Sequence, residues 1–208
     1  MKLIIAGIGT EIGKTVVSAI IVEALQADYW KPVQSGALED SDTETVRGLV
    51  SNTRSRFHPE AYRLREPLSP HAAAQIDGIT IDLAKLVLPE TDNDLVVELA
   101  GGLMVPLNNY DLNIDWVRHT GLPVVLVSRN YLGSINHTLL SIDACQTRKI
   151  PIIGIVFNGP ENPASESVIM GISGLPCLGR VRQERELNKA KVRQYAEKFW
   201  VEINSMRA

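Results

Sequence analysis

The sequence predicts an α/β fold in which a mostly parallel β-sheet carries helices on both faces. Short apolar runs alternate along the chain with stretches whose apolar residues recur at helical spacing. The apolar runs, such as Val124–Val127, are nearly continuous, which is typical of parallel strands buried on both faces. A length of 208 residues suits one domain with its own core, so we expect residues 1–208 to form a single domain.

The first half of the chain begins with a predicted strand over Leu3–Ala6, followed by a helix over 14–26. One apolar face of that helix is made by Val17, Ile20, Ile21 and Ala24. Asp28–Pro32 and Asp94–Leu99 are the next predicted strands. Residues 52–80, between these two strands, are the least regular part and predict an elaborated loop or short helices.

The second half continues the alternation. The predicted strands are Pro123–Ser128, Pro151–Phe157 and Cys177–Val181. One helix is expected from about Ser134 and another over about 187–204. Ligands of parallel sheets bind beyond the carboxyl ends of the strands. The candidate functional loops are therefore those that follow residues 6, 32, 98, 128 and 157.

Composition and charge exclude several classes of protein. The net charge is −3, and no basic run is interleaved with aromatic residues, so we expect no nucleic-acid partner. No apolar run approaches the roughly 18–20 residues of a membrane helix, and we expect a cytoplasmic protein without membrane contact. Cys145 and Cys177 show no metal-site spacing, which fits a reducing compartment and two small buried apolar side chains.

The strongest motif is the glycine-rich segment Gly7–Thr15, which lies between the first strand and the first helix. Glycines let backbone N–H groups turn towards phosphate oxygens, and the helix adds its positive N-terminal end. Lys14 would supply a cation to the phosphates and Thr15 a hydroxyl to Mg²⁺. Five residues separate Gly7 from Gly13, one more than in a standard P-loop. The alternative is a glycine-rich turn with an incidental lysine.

Lys31 and Asp42 follow the second strand. A lysine at a strand's carboxyl end beside a P-loop could stabilise a transferring phosphoryl group, although it could also be a solvated surface lysine. Asp42 could hold Mg²⁺, which prefers oxygen ligands. Equally, Ser41 or Asp42 could cap a helix that starts near Thr43, and both roles are compatible.

Glu98 ends the buried third strand. Acidic residues are seldom buried unless they are paired or bind a metal, so Glu98 is a predicted metal ligand.

The loops after the fourth and fifth strands leave two interpretations open. Gly133-Ser134 could open an anion-binding helix or form an ordinary N-cap. Asn158 is either a turn residue or a contact to the nucleotide base.

Together these loops resemble the dethiobiotin synthetase family. The resemblance runs in matching order over most of the chain, through Gly7–Thr15, Lys31–Gly36, Asp42, Ser69–His71, Glu98–Pro106, Leu132–His137 and Asn158. Three positions depart from the family's usual sequence, which has Thr and Asp at Ile8 and Gly9 and a glycine at Leu99.

The resemblance implies a role for each matching residue. The nucleotide would contact Gly9, Thr10, Glu11, Ile12, Gly13, Lys14, Thr15 and Asn158. Mg²⁺ would be ligated by Thr15, Asp42 and Glu98. Catalysis would rest on Lys14 and Lys31, with Thr10 and Glu11 beside them. The substrate would meet Ser35, Ser69, Gly101, Gly102 and Val105, and its carboxylate tail would reach Ser134, Ile135 and Asn136 of the second subunit of a homodimer.

The same resemblance implies the reaction. The substrates would be ATP, 7,8-diaminopelargonic acid and CO₂ or bicarbonate. One amine would capture CO₂ as a carbamate, and the carbamate would attack the γ-phosphate of ATP. The second amine would then displace phosphate from the carbamic–phosphoric anhydride and close a five-membered cyclic urea.

Three other functions compete with this interpretation. A cobalamin-pathway or amide-forming P-loop ligase usually carries an additional glutamine-hydrolysing domain, for which 208 residues leave little room. A partitioning or septum-positioning ATPase carries a lysine early in its P-loop, where this chain has Gly9, Thr10 and Glu11. The third alternative is an inactive nucleotide-binding module, and the presence together of Lys14, Thr15, Lys31 and Glu98 argues against it.

Overall fold

The computed structural model describes residues 1–205, in which nine β-strands alternate with seven α-helices. The strands are β1 (Lys2–Gly7), β2 (Asp28–Trp30), β3 (Val33–Ser35), β4 (Phe57–His58), β5 (Tyr62–Leu64), β6 (Leu95–Gly102), β7 (Val124–Arg129), β8 (Ile152–Asn158) and β9 (Cys177–Val181). The helices are α1 (Lys14–Leu25), α2 (Asp42–Leu49), α3 (Pro70–Ile76), α4 (Asn113–Thr120), α5 (Ser134–Thr147), α6 (Pro163–Ser173) and α7 (Lys189–Ser205). A short 3₁₀-helix covers Leu83–Lys85.

Seven strands form one parallel sheet in the order β4-β2-β6-β1-β7-β8-β9. The predicted parallel α/β architecture is therefore confirmed. β1, which leads into the P-loop, pairs with β6 on one side and β7 on the other. This arrangement brings the loop after β1 next to the carboxyl end of β6, which carries Glu98.

Both faces of the sheet are buried, as the continuous apolar strands predict. In β1, Leu3 and Ile5 belong to the apolar core that includes residues of α1, α2 and α7, whereas Ile4 and Ala6 belong to the core that includes residues of α3 to α6. Successive strand residues point to opposite faces, so each face needs its own apolar set. The helix predicted over about 187–204 is confirmed as α7, and Phe199 is among its buried residues on the α1 face.

Two predicted strand ends are wrong. β2 stops at Trp30 because Pro32 has no N–H to continue a ladder, and its carbonyl instead accepts a hydrogen bond from Tyr62 N. This contact starts a second, two-stranded parallel sheet of β3 and β5, which the sequence analysis did not predict. β6 extends to Gly102 rather than ending at Leu99, because Gly7 of β1 still pairs with Gly102.

The irregular segment 52–80 contains the short strands β4 and β5 and the helix α3, so the expectation of loop and short helix is only partly right. Cys145 is buried, as predicted, whereas Cys177 is only half-buried. No helix among residues 1–205 has the length and apolar character needed to cross a membrane.

Candidate active site

The P-loop connects β1 to α1 through residues 8–13. Gly13 has φ +93° and precedes the first residue of α1, where a side chain would be strained. A Cβ at Gly13 would also lie 2.0 Å from Nδ2 of Asn158. Lys14 is 7% exposed, and its Nζ donates a hydrogen bond to the Gly9 carbonyl oxygen at 3.1 Å. The loop is thus held in a curved form by its own lysine.

Three oxygen-bearing side chains converge next to this loop. The Thr15 hydroxyl on α1 lies 2.8 Å from Asp42 Oδ1 and 2.9 Å from Glu98 Oε1. Asp42 is the first residue of α2, and Ser41 caps that helix by accepting a hydrogen bond from Glu44 N. Because Ser41 makes the cap, the Asp42 carboxylate is directed to Thr15 instead.

Lys31 lies between the two carboxylates. Its Nζ pairs with Asp42 Oδ2 and lies 3.3 Å from Glu98 Oε1. Lys31 is 4% exposed, so the alternative of a solvated surface lysine is wrong. Its position follows from the topology, since β2 and β6 are neighbours and their carboxyl ends present Lys31 and Glu98 side by side.

Burial and charge shift the pKa values of the two lysines in opposite directions. Burial lowers the pKa of Lys14, and the nearby charge of Lys31 adds to this effect. Burial also disfavours the charge of Lys31, but the Glu98 and Asp42 carboxylates outweigh it and raise the pKa of Lys31. The Lys31 ammonium in turn lowers the pKa of Asp42 against the opposing effect of burial. Lys31 and Asp42 therefore remain an ion pair at neutral pH.

Sequence reasoning missed Tyr29, which contacts Glu98 from below the cleft. Tyr29 is fully buried, and its hydroxyl donates a hydrogen bond to Glu98 Oε2 at 3.0 Å. Burial, followed by the Glu98 charge, raises the pKa of Tyr29 well above its usual value, so the phenol stays protonated. Tyr29 lies within the predicted strand Asp28–Pro32, and one sequence gives no signal for this contact.

A cleft of about 760 Å³ lies next to the P-loop and the charged cluster of Lys31, Asp42 and Glu98. It brings together most of the predicted site residues, namely Thr10, Glu11, Gly13, Lys14, Thr15, Lys31, Ser35, Asp42, Ser69, Glu98, Gly101 and Val105. The wall is completed by residues that the sequence analysis did not select, including Gln34, Pro67 and Leu68. Gly101 has φ +73°, and a Cβ there would lie 2.9 Å from Val105 Cγ2, so glycine keeps this wall close-packed.

Other predicted residues support the loop from behind. The Ile12 side chain is buried in the core on the α1 face. Asn158, at the end of β8, donates a hydrogen bond from Nδ2 to the Ile12 carbonyl oxygen at 2.8 Å. Arg129, which the sequence analysis did not select, donates to the Glu11 carbonyl oxygen at 3.2 Å. Gly102 lies against the loop backbone, since a Cβ there would be 3.3 Å from the Gly7 carbonyl oxygen.

The segment Ser134–Asn136 forms the first turn of α5 and is not part of the cleft wall. Gly133, with φ +100°, occupies the N-cap position, so Ser134 is not the N-cap. Ser134 is buried and accepts a hydrogen bond from Tyr131 N at 3.3 Å, whereas Asn136 is exposed.

The donor set suits a hard divalent cation. One hydroxyl and two carboxylates approach each other within 2.9 Å of the Thr15 oxygen, and oxygen ligands of this kind are what Mg²⁺ prefers. Among residues 1–205, no group of three or more His, Cys, Asp or Glu residues could hold a metal alone. Mg²⁺ commonly takes few protein ligands and completes its shell with phosphate and water, so these residues fit it.

The sheet, the loop between β1 and α1, and the Thr15–Asp42–Glu98 cluster define a P-loop nucleotide-binding protein. A family model described as an AAA domain matches residues 1–191. The chain is 54% identical over 195 residues to the ATP-dependent dethiobiotin synthetase BioD of Christiangramia forsetii, with 94% of each chain covered. It is 49% identical over 200 residues to the protein of that name from Cytophaga hutchinsonii, covering 96% of this chain and 97% of the relative. The chain therefore belongs to the ATP-dependent dethiobiotin synthetase family.

Solved structures with a similar fold include cell-division ATPases. The MinD cell division ATPase of Pyrococcus furiosus gives a TM-score of 0.63 at 14% identity, with 99% of each chain covered. The septum site-determining protein MinD of Pyrococcus horikoshii, complexed with Mg-ADP, gives a TM-score of 0.60 at 13% identity, covering 100% of this chain and 98% of that one. At such identities the likeness shows a shared fold and carries no argument about activity.

Proposed function

We propose that this chain is an ATP- and Mg²⁺-dependent ligase that forms dethiobiotin from 7,8-diaminopelargonic acid and CO₂. Family membership supports the reaction, and the observation that carries the proposal is the position of Lys31. Its ammonium sits beside the P-loop, between Asp42 and Glu98, where the same cleft continues to Ser35 and Ser69. A cation between a phosphate site and a second binding region suits a reaction that joins two anions.

The nucleotide side of the cleft would use the backbone N–H groups of residues 9–15 and the positive end of α1 to bind the triphosphate. The Lys14 side chain would contact the β- and γ-phosphates. Mg²⁺ would be held by Thr15, Asp42 and Glu98 and would supply charge neutralisation at the phosphates. Asn158 would contact the base with its carbonyl oxygen, since its amide nitrogen is committed to Ile12.

The diamine side would lie along Ser35, Ser69 and the backbone at Gly101, Gly102 and Val105. Ser35 Oγ is buried and has no hydrogen-bond partner within the described residues. A buried hydroxyl of this kind gains from a polar ligand group. An amine or carbamate of the substrate would provide the missing partner.

The chemistry follows from charge and proximity. A carbamate oxygen of the substrate bonds to the γ-phosphorus while the bond to ADP breaks, and Lys31 offsets the negative charge that gathers there. The second amine then bonds to the carbonyl carbon, phosphate leaves, and the five-membered ring closes. Holding amine and carbonyl in one cleft makes this step intramolecular, which favours it without a covalent enzyme intermediate.

The test measures phosphate release from ATP in bicarbonate and Mg²⁺, with and without 7,8-diaminopelargonic acid, together with the mass of the product. We expect release that depends on the diamine and a product with the mass of the cyclic urea. Release that is unchanged by the diamine would point to a switch ATPase instead. Protein that binds ATP but releases no phosphate would contradict the proposed substrate.

We further propose a cytoplasmic homodimer in which residues 1–208 act as one domain and the substrate carboxylate reaches Ser134, Ile135 and Asn136 of the partner. The exposed Asn136 in the first turn of α5 supports this arrangement, because a helix N-terminus favours an anion. Mixing Lys31→Ala with Asn136→Asp protein tests it. If sites are shared, mixed dimers have one intact site each and restore up to about a quarter of wild-type activity. No restoration, or an active monomer by light scattering, would refute sharing.

A further inference from the structure

Tyr29, the middle residue of β2, lies outside the matched motifs and contacts a predicted metal ligand, Glu98. Tyr29 pairs in register with Val96 of β6, and Glu98 lies two residues further along β6 on the same face. Long side chains can reach such a diagonal neighbour across two strands. The Tyr29 hydroxyl does so at 3.0 Å from Glu98 Oε2, in a part of the core with no solvent exposure at either residue.

The two oxygens of Glu98 therefore have separate partners. Oε1 faces Thr15 at 2.9 Å and Lys31 at 3.3 Å, on the cleft side. Oε2 points into the core, and among residues 1–205 its hydrogen-bond partner is the Tyr29 hydroxyl. The Tyr29 ring is itself fixed by Phe57, whose ring centroid lies 6.2 Å away. Rotation of the carboxylate would break the Tyr29 contact and leave a buried oxygen unpaired, which is costly.

We propose that Tyr29 is a positioning residue that locks Glu98 so that only Oε1 faces the metal and Lys31. This inference rests on the proposed assignment of Thr15, Asp42 and Glu98 as the metal ligands. Partners that orient a metal ligand typically change metal affinity by about 10- to 100-fold when removed. Tyr29→Phe removes one oxygen and keeps the ring, so it isolates the hydroxyl from the packing.

The experiment measures binding of Mn²⁺, an oxygen-preferring substitute for Mg²⁺, by electron paramagnetic resonance in the presence of a non-hydrolysable ATP analogue. The variants are Tyr29→Phe, Glu98→Gln and the double variant. Tyr195→Phe is the matched control, because its hydroxyl also donates to a carboxylate, Glu184 Oε1, at 2.6 Å. We expect Tyr29→Phe to weaken Mn²⁺ binding about tenfold or more, and Tyr195→Phe to leave it unchanged.

The double variant separates positioning from general stability. If Tyr29 acts through Glu98, Tyr29→Phe has little further effect on Mn²⁺ affinity in the Glu98→Gln background. An equal loss in both backgrounds, or wild-type affinity in Tyr29→Phe, would overturn the inference. If Glu98→Gln itself binds Mn²⁺ normally, the metal-ligand assignment fails instead, so the two failures are distinguishable. Thermal unfolding of each variant shows that the compared proteins are folded.

Discussion

Replacing Lys31 with alanine tests the centre of the proposed mechanism. The side chain contacts two carboxylates and makes no contact with the P-loop backbone among the hydrogen bonds of residues 1–205. ATP would therefore keep its principal contacts, the loop amides and Lys14. The variant loses the Lys31 ammonium, a preorganised positive charge at the position where negative charge develops in the transition state. Removal of one such preorganised group lowers kcat by about 10²–10³-fold.

The same substitution has a cost in stability that the structure lets us bracket. Breaking a buried ion pair from one side destabilises a protein by about 3–5 kcal/mol, because the remaining charge stays buried and unpaired. The Glu98 carboxylate is 1% exposed, whereas that of Asp42 is 33% exposed and keeps some hydration. We therefore expect the low end, about 3 kcal/mol, for Lys31→Ala without metal. Saturating Mg²⁺ at about 100 times its dissociation constant would return roughly 2.7 kcal/mol.

The assay pairs three measurements on wild type and Lys31→Ala: kcat from diamine-dependent phosphate release, the ATP dissociation constant from calorimetry, and denaturant unfolding with and without Mg²⁺. Lys31→Arg serves as a charge-preserving control, although its fork geometry does not match an ammonium. Turnover should fall by at least a hundredfold while ATP affinity changes by less than about threefold. Equal losses of turnover and ATP affinity would show that Lys31 binds the ground state, and the reasoning would be wrong.

Three further outcomes are expected. Asn158→Ala removes the amide that donates a hydrogen bond to the Ile12 carbonyl oxygen, and calorimetry should show that ATP binds about tenfold more weakly. An unchanged ATP affinity would show that the P-loop keeps its shape without Asn158. Asp28 is buried, and burial opposes its ionisation, but the hydrogen bonds that it accepts lower its pKa below the usual value of 3.8. The ionised carboxylate therefore stabilises the folded protein above pH 3.8, and this contribution is lost as the pH falls through the pKa of the folded state. Denaturant unfolding of Asp28→Asn should thus differ from wild type by about 1–3 kcal/mol at pH 7, and by progressively less below pH 3.8. Burial raises the pKa of Cys145 to about 11, so a disulfide reagent at pH 8 should leave this thiol unmodified until the protein is denatured, with Cys145→Ser identifying the signal.

The parts of the fold that could be predicted are those whose signal is local. A buried parallel strand such as β7 needs only a run of apolar residues, and the P-loop needs only glycines and a lysine at fixed spacing. The small β3–β5 sheet escaped prediction because it depends on a contact between Pro32 and Tyr62, distant in sequence. The length of β6 escaped for the same reason, since pairing with β1 carries it through two glycines that favour a turn on local grounds.

At the candidate site, sequence reasoning selected charged residues and missed their supports. Lys31, Asp42 and Glu98 could be chosen because a charge at the end of an apolar strand or at a helix start is chemically conspicuous. Tyr29 and Arg129 could not be chosen from the sequence. A tyrosine within one strand and an arginine at the end of another are common structural residues. Only the register between β2 and β6 shows that the Tyr29 hydroxyl reaches Glu98. Contacts of this kind are set by topology rather than by any motif.

The charges of the site balance before any ligand is considered, and this balance explains how Lys14, Lys31 and Glu98 can be buried. Two lysines, Lys14 and Lys31, face two carboxylates, Asp42 and Glu98, and the two carboxylates favour the charged form of Lys31 strongly enough to raise its pKa despite burial. In such a neutral cluster, attraction between opposite charges offsets part of the desolvation penalty of each buried charge, so the fold can hold the cluster rigidly. A charged ligand then binds to this site most readily together with a ligand of opposite charge, such as a metal cation with a phosphate. The arrangement thus favours the metal and the nucleotide together over either one alone, because each offsets the charge that the other brings into a buried site.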